Sequence, residues 1–337
     1  MTATLPPTVG STGPTGRPSW LPGPRLLPTL ATFVVFVVLF GAGSLRYDGF
    51  LAPQVFLNLF VDNAFLIVLA VGMTFVILTG GIDLSVGSVV ALGGVVAAKL
   101  LALGWSPVLV LVLVPVIGTL LGLAMGAAIQ YLEIQPFVVT LAGMFLARGL
   151  CYVISVEAIP IRDPLFTAAA TTAVYLPGTD LFVSPSVLVA VLVVAVAAYV
   201  LASTRFGRTV YAVGGNSHSA VLMGLSVART RVAVYAISGF CSSLAGLLFA
   251  FYSLSGYSLA AVGTELDAIA ATVIGGTLLS GGVGLVVGSL LGVLVLGLIQ
   301  TFISFEGTLS SWWTKIVIGA LLLVFVVVQR VIVRRPT

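Results

Sequence analysis

The chain has 337 residues, of which 60% are hydrophobic and 7% charged, with 38 glycines and 16 prolines. Soluble domains carry about a quarter charged residues, so this composition excludes that class and specifies an integral membrane protein with several spans. The net charge of +4 calls for no nucleic acid, because a bias of Arg toward one set of connecting segments accounts for it.

Residues 1–25 are rich in Pro, Gly, Ser and Thr and are expected to form a disordered cytoplasmic tail. A transmembrane domain follows over 26–333. The first apolar run lacks a small-residue cleavage site and is followed by further spans, so it reads as a membrane helix rather than a signal peptide. Apolar runs predict ten spans, near 27–44, 55–78, 86–103, 108–130, 137–156, 187–202, 232–252, 266–280, 285–303 and 312–333. Eight spans with two re-entrant segments fit the hydropathy almost as well. The class is therefore an all-α polytopic membrane protein with pseudo-repeated segments, near 70–130 and 266–333.

With ten spans and the N-terminus inside, Arg17, Arg25, Arg205, Arg208, Arg229, Arg231, Arg330, Arg334 and Arg335 fall on the cytoplasmic side. The outer loops keep Arg46 and Arg162. This asymmetry places both termini in the cytoplasm. Two connections are long: an extracytoplasmic one over 157–186, expected as a short helix or ordered surface loop, and a cytoplasmic one over 203–231. In the latter, Asn216 or Ser217 suits a helix N-cap, and Ala220, Val221, Leu222, Met223 and Leu225 give an apolar face that includes Gly224.

Two glycine-rich interruptions stand inside the apolar runs. Thr79-Gly80-Gly81-Ile82-Asp83-Leu84-Ser85-Val86-Gly87-Ser88 lines up with Ser280-Gly281-Gly282-Val283-Gly284-Leu285-Val286-Val287-Gly288-Ser289, 201 residues later. Paired breaks in two halves of an apolar chain mark a transport path between internal repeats. Asp83, matched by Gly284 in the second copy, has two readings. Its carboxylate either borders the substrate path, with Ser85 sharing the bonding, or caps the following helix at the cytoplasmic interface. The glycines likewise either line a path or allow close helix packing, and Gly284, Gly288 and Gly292 at four-residue spacing suit packing.

Catalytic signals are absent. The two lysines, Lys99 and Lys315, are followed by Leu100 and Ile316, so the chain has no phosphate-binding Gly-x-x-x-x-Gly-Lys-Ser/Thr motif. One histidine, His218, supports neither a multi-His metal site nor a His-based triad, and it reads as a polar residue of a cap region. Cys151 and Cys241 lie inside apolar runs and read as packing residues. With so few ionisable groups in the spans, an external energy source docking on 203–231 accounts for transport better than an ion-coupled carrier does.

The stretch Gly72-Met73-Thr74-Phe75-Val76-Ile77-Leu78-Thr79 through Ser88 resembles the signature of ribose-type permeases of bacterial ABC sugar importers. Leu266-Asp267-Ala268-Ile269-Ala270 with Val273-Ile274-Gly275-Gly276-Thr277-Leu278-Leu279-Ser280-Gly281-Gly282 resembles the family's second signature, as does Arg205-Phe206-Gly207 leading to Val213-Gly214-Gly215-Asn216. The resemblance runs over residues 30–333 in order. Within the family, Asp62-Asn63-Ala64-Phe65, Glu157-Ala158-Ile159-Pro160-Ile161 and Gly307-Thr308-Leu309-Ser310-Ser311-Trp312-Trp313-Thr314-Lys315 resemble a permease of a galactofuranose importer.

This resemblance implies a multi-pass subunit of the bacterial inner membrane that is not itself an enzyme and binds no cofactor or metal. It implies a second permease subunit (the same or a different chain), an ABC ATPase carrying ATP and Mg, an extracytoplasmic sugar-binding protein, and alternating access. It makes Asn216 to Ser226 a coupling helix seated in the ATPase, with Asn216, Ala220, Val221, Gly224 and Leu225 as contact candidates. The Glu-Ala-Ala form of a coupling motif is not present; Ala220 and Gly224 are what remains of it. Candidates for the substrate path or its gate are Asn63, Phe75, Gly80, Gly81, Asp83, Ser85, Gly281, Gly282 and Trp313. Ribose, another sugar, a nucleoside or a branched-chain amino acid remains the alternative cargo, and an ion-coupled carrier the alternative class.

Overall fold

The computed structural model describes residues 27–334 apart from 309 and 311; the predicted tail over 1–25 lies outside the described residues. The first helices are α1 (Leu27–Arg46), α2 (Pro53–Leu78), α3 (Val86–Ala102), α4 (Pro107–Tyr131) and α5 (Pro136–Ile154). An irregular segment follows with β1 (Ile159–Pro160), α6 (Pro164–Thr171), β2 (Val174–Tyr175) and β3 (Phe182–Val183). Then come α7 (Pro185–Ser203), α8 (Arg205–Gly215), α9 (Ser217–Leu222), α10 (Val227–Ser253) and β4 (Ser255–Gly256). The chain closes with α11 (Thr264–Ile274), α12 (Val286–Glu306) and α13 (Trp312–Arg334).

Each of the ten apolar segments read from the sequence falls on a helix. Among the described residues, seven of these helices are long and apolar enough to cross a bilayer: α1, α2, α4, α5, α7, α10 and α12. The other three are shorter or less uniformly apolar. The main departure is the segment expected over 266–280, whose helix α11 has 11 residues, about 16 Å or half a hydrocarbon core. Gly276 stops it: with φ +97° it takes a conformation that a side chain would resist, while its N–H donates to Val273 O at 2.9 Å.

Helix α10 is the pillar of the bundle, packed by α2, α3 and α4. Its contact with α4 is made by small residues. A methyl group on Gly118 would lie 2.4 Å from Gly239 O, and one on Gly122 would lie 2.2 Å from Tyr235 O. Gly126 continues the same face against Val232. Spacing of four residues lets two backbones touch along this line, which is how membrane helices gain dispersion contact without a hydrophobic driving force. On the outer side of the bundle α4 shows Val108, Val112, Val116 and Leu120 exposed, a stripe that lipid tolerates and water does not.

Two small sheets finish one end of the bundle. β1 pairs antiparallel with β4, and β2 with β3. Asp163 caps α6 through Leu165 N at 2.9 Å and Phe166 N at 3.2 Å. The segment over 157–186, expected as a short helix or ordered surface loop, holds a short helix and an ordered hairpin. Arg148 of α5 reaches this end, donating to Ser258 O and, at 2.8 Å, to Ala260 O. A guanidinium inside an apolar helix is satisfied here by carbonyls that no sheet or helix uses.

Candidate functional site

The two glycine breaks meet. α2 ends because Gly80 (φ +78°) and Gly81 turn their N–H groups back to Ile77 O at 2.9 Å and Val76 O at 3.1 Å. α11 ends in the same way, and a tight turn follows in which Leu278 N donates to Val283 O at 2.9 Å. The two turns are then joined by a backbone bond from Gly282 N to Leu78 O at 2.9 Å. Gly281 (φ +84°) closes the contact: a methyl group there would sit 2.8 Å from Gly80 N. Above the junction Thr74 and Ser289 share a hydrogen bond at 2.7 Å, so α2 and α12 are pinned just beyond their breaks.

Beyond Gly81 the chain runs along α10. Gly81 abuts the Tyr235 hydroxyl, Asp83 reaches Ser238, Gly93 abuts Ser243 and Gly94 faces Gly246. Asp83 is fully buried. One carboxylate oxygen accepts from Ser85 N at 3.0 Å and Ser85 Oγ at 2.6 Å; the other accepts from Ser238 Oγ at 2.7 Å. This placement adds a third role to the two readings of Asp83. Its partner Ser238 lies near the middle of the helix Val227–Ser253, and the residue preceding α3 is Ser85, which makes no side-chain cap bond. Asp83 is a staple between the first break and α10.

A cavity of ≈ 460 Å³ opens beside the first break. Thr79, Gly80 and Gly81 form one wall, Gln130 at the end of α4 with Glu133 and Gln135 of the α4–α5 turn another, and Arg231 and Tyr235 of α10 a third. Gly80 and Gly81, two of the residues expected at the path, therefore line open space. Others do not. Asn63 is buried, donates to Leu59 O at 2.9 Å and packs on Gly297. Phe75 is buried and stacks on Phe206 of α8, ring centroids 6.4 Å apart. Trp313 stands half-exposed on the first turn of α13. The glycines spaced by four split in role. Gly288 and Gly292 pack on Gly275 and Ala271, whereas Gly284 belongs to the break and faces Thr277.

The α8–α9 segment carries the coupling candidates. Thr204 caps α8 through Gly207 N at 3.1 Å, and Asn216 caps α9 through Ser219 N at 2.9 Å. Gly224 (φ +75°) ends α9, with Gly224 N on Val221 O and Leu225 N on Ala220 O. The expected apolar face is divided. Ala220 is buried and Leu225 packs with it against Val213 and Val227, whereas Val221 (58%), Leu222 (76%) and Met223 (66%) are exposed. An open groove of ≈ 510 Å³ runs beside them, lined by Gln130, His218, Val221, Leu225 and Arg231.

Four residues of this region were not singled out from sequence: Ser238, Tyr235, Tyr211 and Glu265. Tyr211 Oη donates to Gly284 O at 2.8 Å. Glu265 lies in the first turn of α11, its carboxylate against Gly87 in the first turn of α3. Only the sense that acids inside apolar bundles are costly pointed toward Glu265. Among the described residues no group of three or more His, Cys, Asp or Glu is arranged to hold a metal ion.

Comparison with known proteins fits this architecture. A family model described as the branched-chain amino acid transport system / permease component matches residues 55–326. The inner membrane ABC transporter permease protein YjfF of Escherichia coli K12 is 50% identical over 307 residues, covering 91% of this chain and 92% of that protein. The fructose import permease protein FruG of Bifidobacterium longum is 41% identical, with 91% and 92% covered. The ribose import permease protein RbsC of Bacillus subtilis is 37% identical, again with 91% and 92% covered. No solved structure matches. Matches spanning nine-tenths of both partners, on a bundle of apolar helices with paired glycine breaks, place the chain in the branched-chain amino acid transport system / permease component family, as a multi-pass ABC permease subunit that is not itself an enzyme.

Proposed function

We propose that this chain is the membrane-spanning subunit of an ATP-driven importer in the bacterial inner membrane, and that it translocates a monosaccharide of galactofuranose type. The cavity beside Gly80 and Gly81 is the observation that carries this reading. Its ≈ 460 Å³ falls in the size range of small-molecule sites, and its lining of amides, hydroxyls, one carboxylate and one guanidinium suits a polyhydroxylated, uncharged solute. The relatives bear names of fructose and ribose import, which supports a sugar over a nucleoside or an amino acid. The sequence likeness to a galactofuranose importer narrows the sugar.

On this reading all ten apolar helices belong to the membrane domain, with α3, α11 and α13 completing the seven long spans and both termini in the cytoplasm. Arg205 and Arg208 on α8 and Arg229 and Arg231 at the start of α10 then lie on the cytoplasmic side. Val221, Leu222 and Met223 form the ATPase contact, being apolar, exposed and beyond the apolar helices. ATP and Mg belong to that partner. A binding protein delivers the sugar to the opposite end, where α6 and the β2–β3 hairpin lie, and a second permease subunit completes the path. Glu265, partly exposed and without a hydrogen-bond partner among the described residues, is the acid assigned to that path, because a carboxylate inside a bundle does not face lipid.

Pull-down tests the docking surface. The chain carrying Leu222→Asp with Met223→Asp is expected to insert normally and to lose the ATPase, because each buried charge without a partner costs several kcal/mol. Full retention of the ATPase by this variant would remove the assignment. Uptake of radiolabelled galactofuranose, ribose, fructose and arabinose by the reconstituted transporter ranks the sugars.

A further inference from the structure

We infer that α8 is the transmission element between the ATPase contact and both glycine breaks, with Gly214 as its positioning residue and Tyr211 as its second tie. The inference rests on the reading of α9 as the ATPase contact. Gly214 lies over the bond that joins the two breaks. A methyl group on it would sit 1.7 Å from Leu78 O and 2.5 Å from Gly282 N, the acceptor and donor of that bond. From the other side, a methyl group on Gly281 would lie 3.0 Å from Gly214 O, and one on Gly282 would lie 2.9 Å from Gly215 Cα. Three backbones thus touch with no side chain between them.

Such a contact has no slack. Protein interiors are close-packed and transmit displacement rather than absorb it. A shift of α8 by an ångström therefore either carries both breaks with it or pulls Gly282 away from Leu78. Tyr211, one turn before Gly214, fixes the same helix to the second break through Gly284 O. Two residues beyond Gly214, at this same end, α8 passes into α9 through Asn216 alone, and the Asn216 side chain caps α9. Val213 of α8 packs with Ala220 of α9, so the two short helices form one lever. A glycine inside a helix costs stability relative to alanine, and at Gly214 the touching backbones give the reason for it.

The test uses the whole transporter in proteoliposomes, with its ATPase, partner permease and binding protein. The readout is sugar imported per ATP hydrolysed, alongside ATPase retention in a pull-down. Tyr211→Phe removes one hydrogen bond and keeps the ring; Gly214→Ala inserts the clashing methyl group. Both are expected to retain the ATPase and hydrolyse ATP. Import per ATP should fall about fivefold for Tyr211→Phe, the equivalent of one neutral hydrogen bond, and at least about tenfold for Gly214→Ala. Gly319→Ala, whose methyl group would meet nothing within 4 Å, should import at the unaltered ratio. Unaltered import per ATP in Tyr211→Phe, with the ATPase bound, overturns the inference whether or not Gly214→Ala assembles. A Leu222→Asp/Met223→Asp chain that keeps its ATPase refutes the docking reading instead, and the two failures are read in different assays.

Discussion

Replacing Asp83 separates a staple from a substrate ligand. Its carboxylate accepts from Ser85 N at 3.0 Å, Ser85 Oγ at 2.6 Å and Ser238 Oγ at 2.7 Å, and it has no exposed surface. Asparagine fits the same space. Its oxygen can accept from Ser85, and its amide can donate to Ser238 Oγ once that hydroxyl turns. Exchanging charge-assisted bonds for neutral ones costs about 1 kcal/mol each, or about 3 in all. Returning a buried carboxylate to neutrality recovers several kcal/mol of desolvation, which offsets that loss. Asp83→Asn should therefore remain within about 1 kcal/mol of the unaltered protein. Alanine leaves the Ser85 N–H buried without an acceptor, at about 1–3 kcal/mol, and opens a small cavity at a further 1 or so. The hydroxyls escape by bonding backbone carbonyls. Asp83→Ala should thus cost about 2–4 kcal/mol. Thermal melting of the purified protein in detergent, followed by intrinsic fluorescence, gives the order unaltered ≈ Asn > Ala. Initial uptake rates of Asn should remain within a few-fold of the unaltered transporter. An Asn variant that melts normally but transports nothing would show that the charge meets substrate, and the staple account would fail.

The small-residue contact of α4 and α10 predicts that Gly122→Ala costs about 1–3 kcal/mol by overpacking, since its methyl group would lie 2.2 Å from Tyr235 O. Gly149→Ala, with nothing within 4 Å, should instead be neutral or stabilise by up to about 1 kcal/mol; equal melting shifts for the two would refute the close approach. Glu265→Gln should raise the KM for sugar uptake about tenfold, a loss of about 1.4 kcal/mol of charge-assisted bonding, with expression and melting preserved. An unchanged KM would take Glu265 off the path. Tyr47 outside the spans donates to Glu306, and that bond raises its pKa above 10.0. A raised value means that the folded state keeps the proton longer, so this contribution is full below pH 10 and declines above it. Tyr47→Phe should make the melting temperature less sensitive to pH above 10, and an unaltered alkaline decline would count against the contact.

Helix positions were legible where local chemistry marks them. Pro53, Pro107, Pro136, Pro164 and Pro185 each open a helix in its first turn, where a missing N–H costs nothing and the fixed φ suits the turn. The glycine breaks were legible too, because two glycines in an apolar run announce a stop. What a break touches was not. Asp83 finds Ser238 across 155 positions, and Gly282 finds Leu78 across 204; one chain read alone carries no signal for such pairs. The same holds for Phe75, Asn63 and Trp313, which were chosen for their side-chain chemistry and then placed by packing. The face of α9 shows the limit at shorter range. Its five apolar residues read as one patch, yet Gly224 turns the chain so that Leu225 packs inward with Ala220 while Val221, Leu222 and Met223 stay outside.

The central claim is ATP-driven sugar import through this chain. Proteoliposomes holding the chain, its partner permease and its ATPase, loaded with ATP and supplied outside with binding protein and labelled galactofuranose, measure it directly. The account predicts uptake that requires ATP and binding protein, stops with Leu222→Asp/Met223→Asp and ignores a protonophore. Uptake by this chain without any ATPase, abolished by the protonophore, would contradict it.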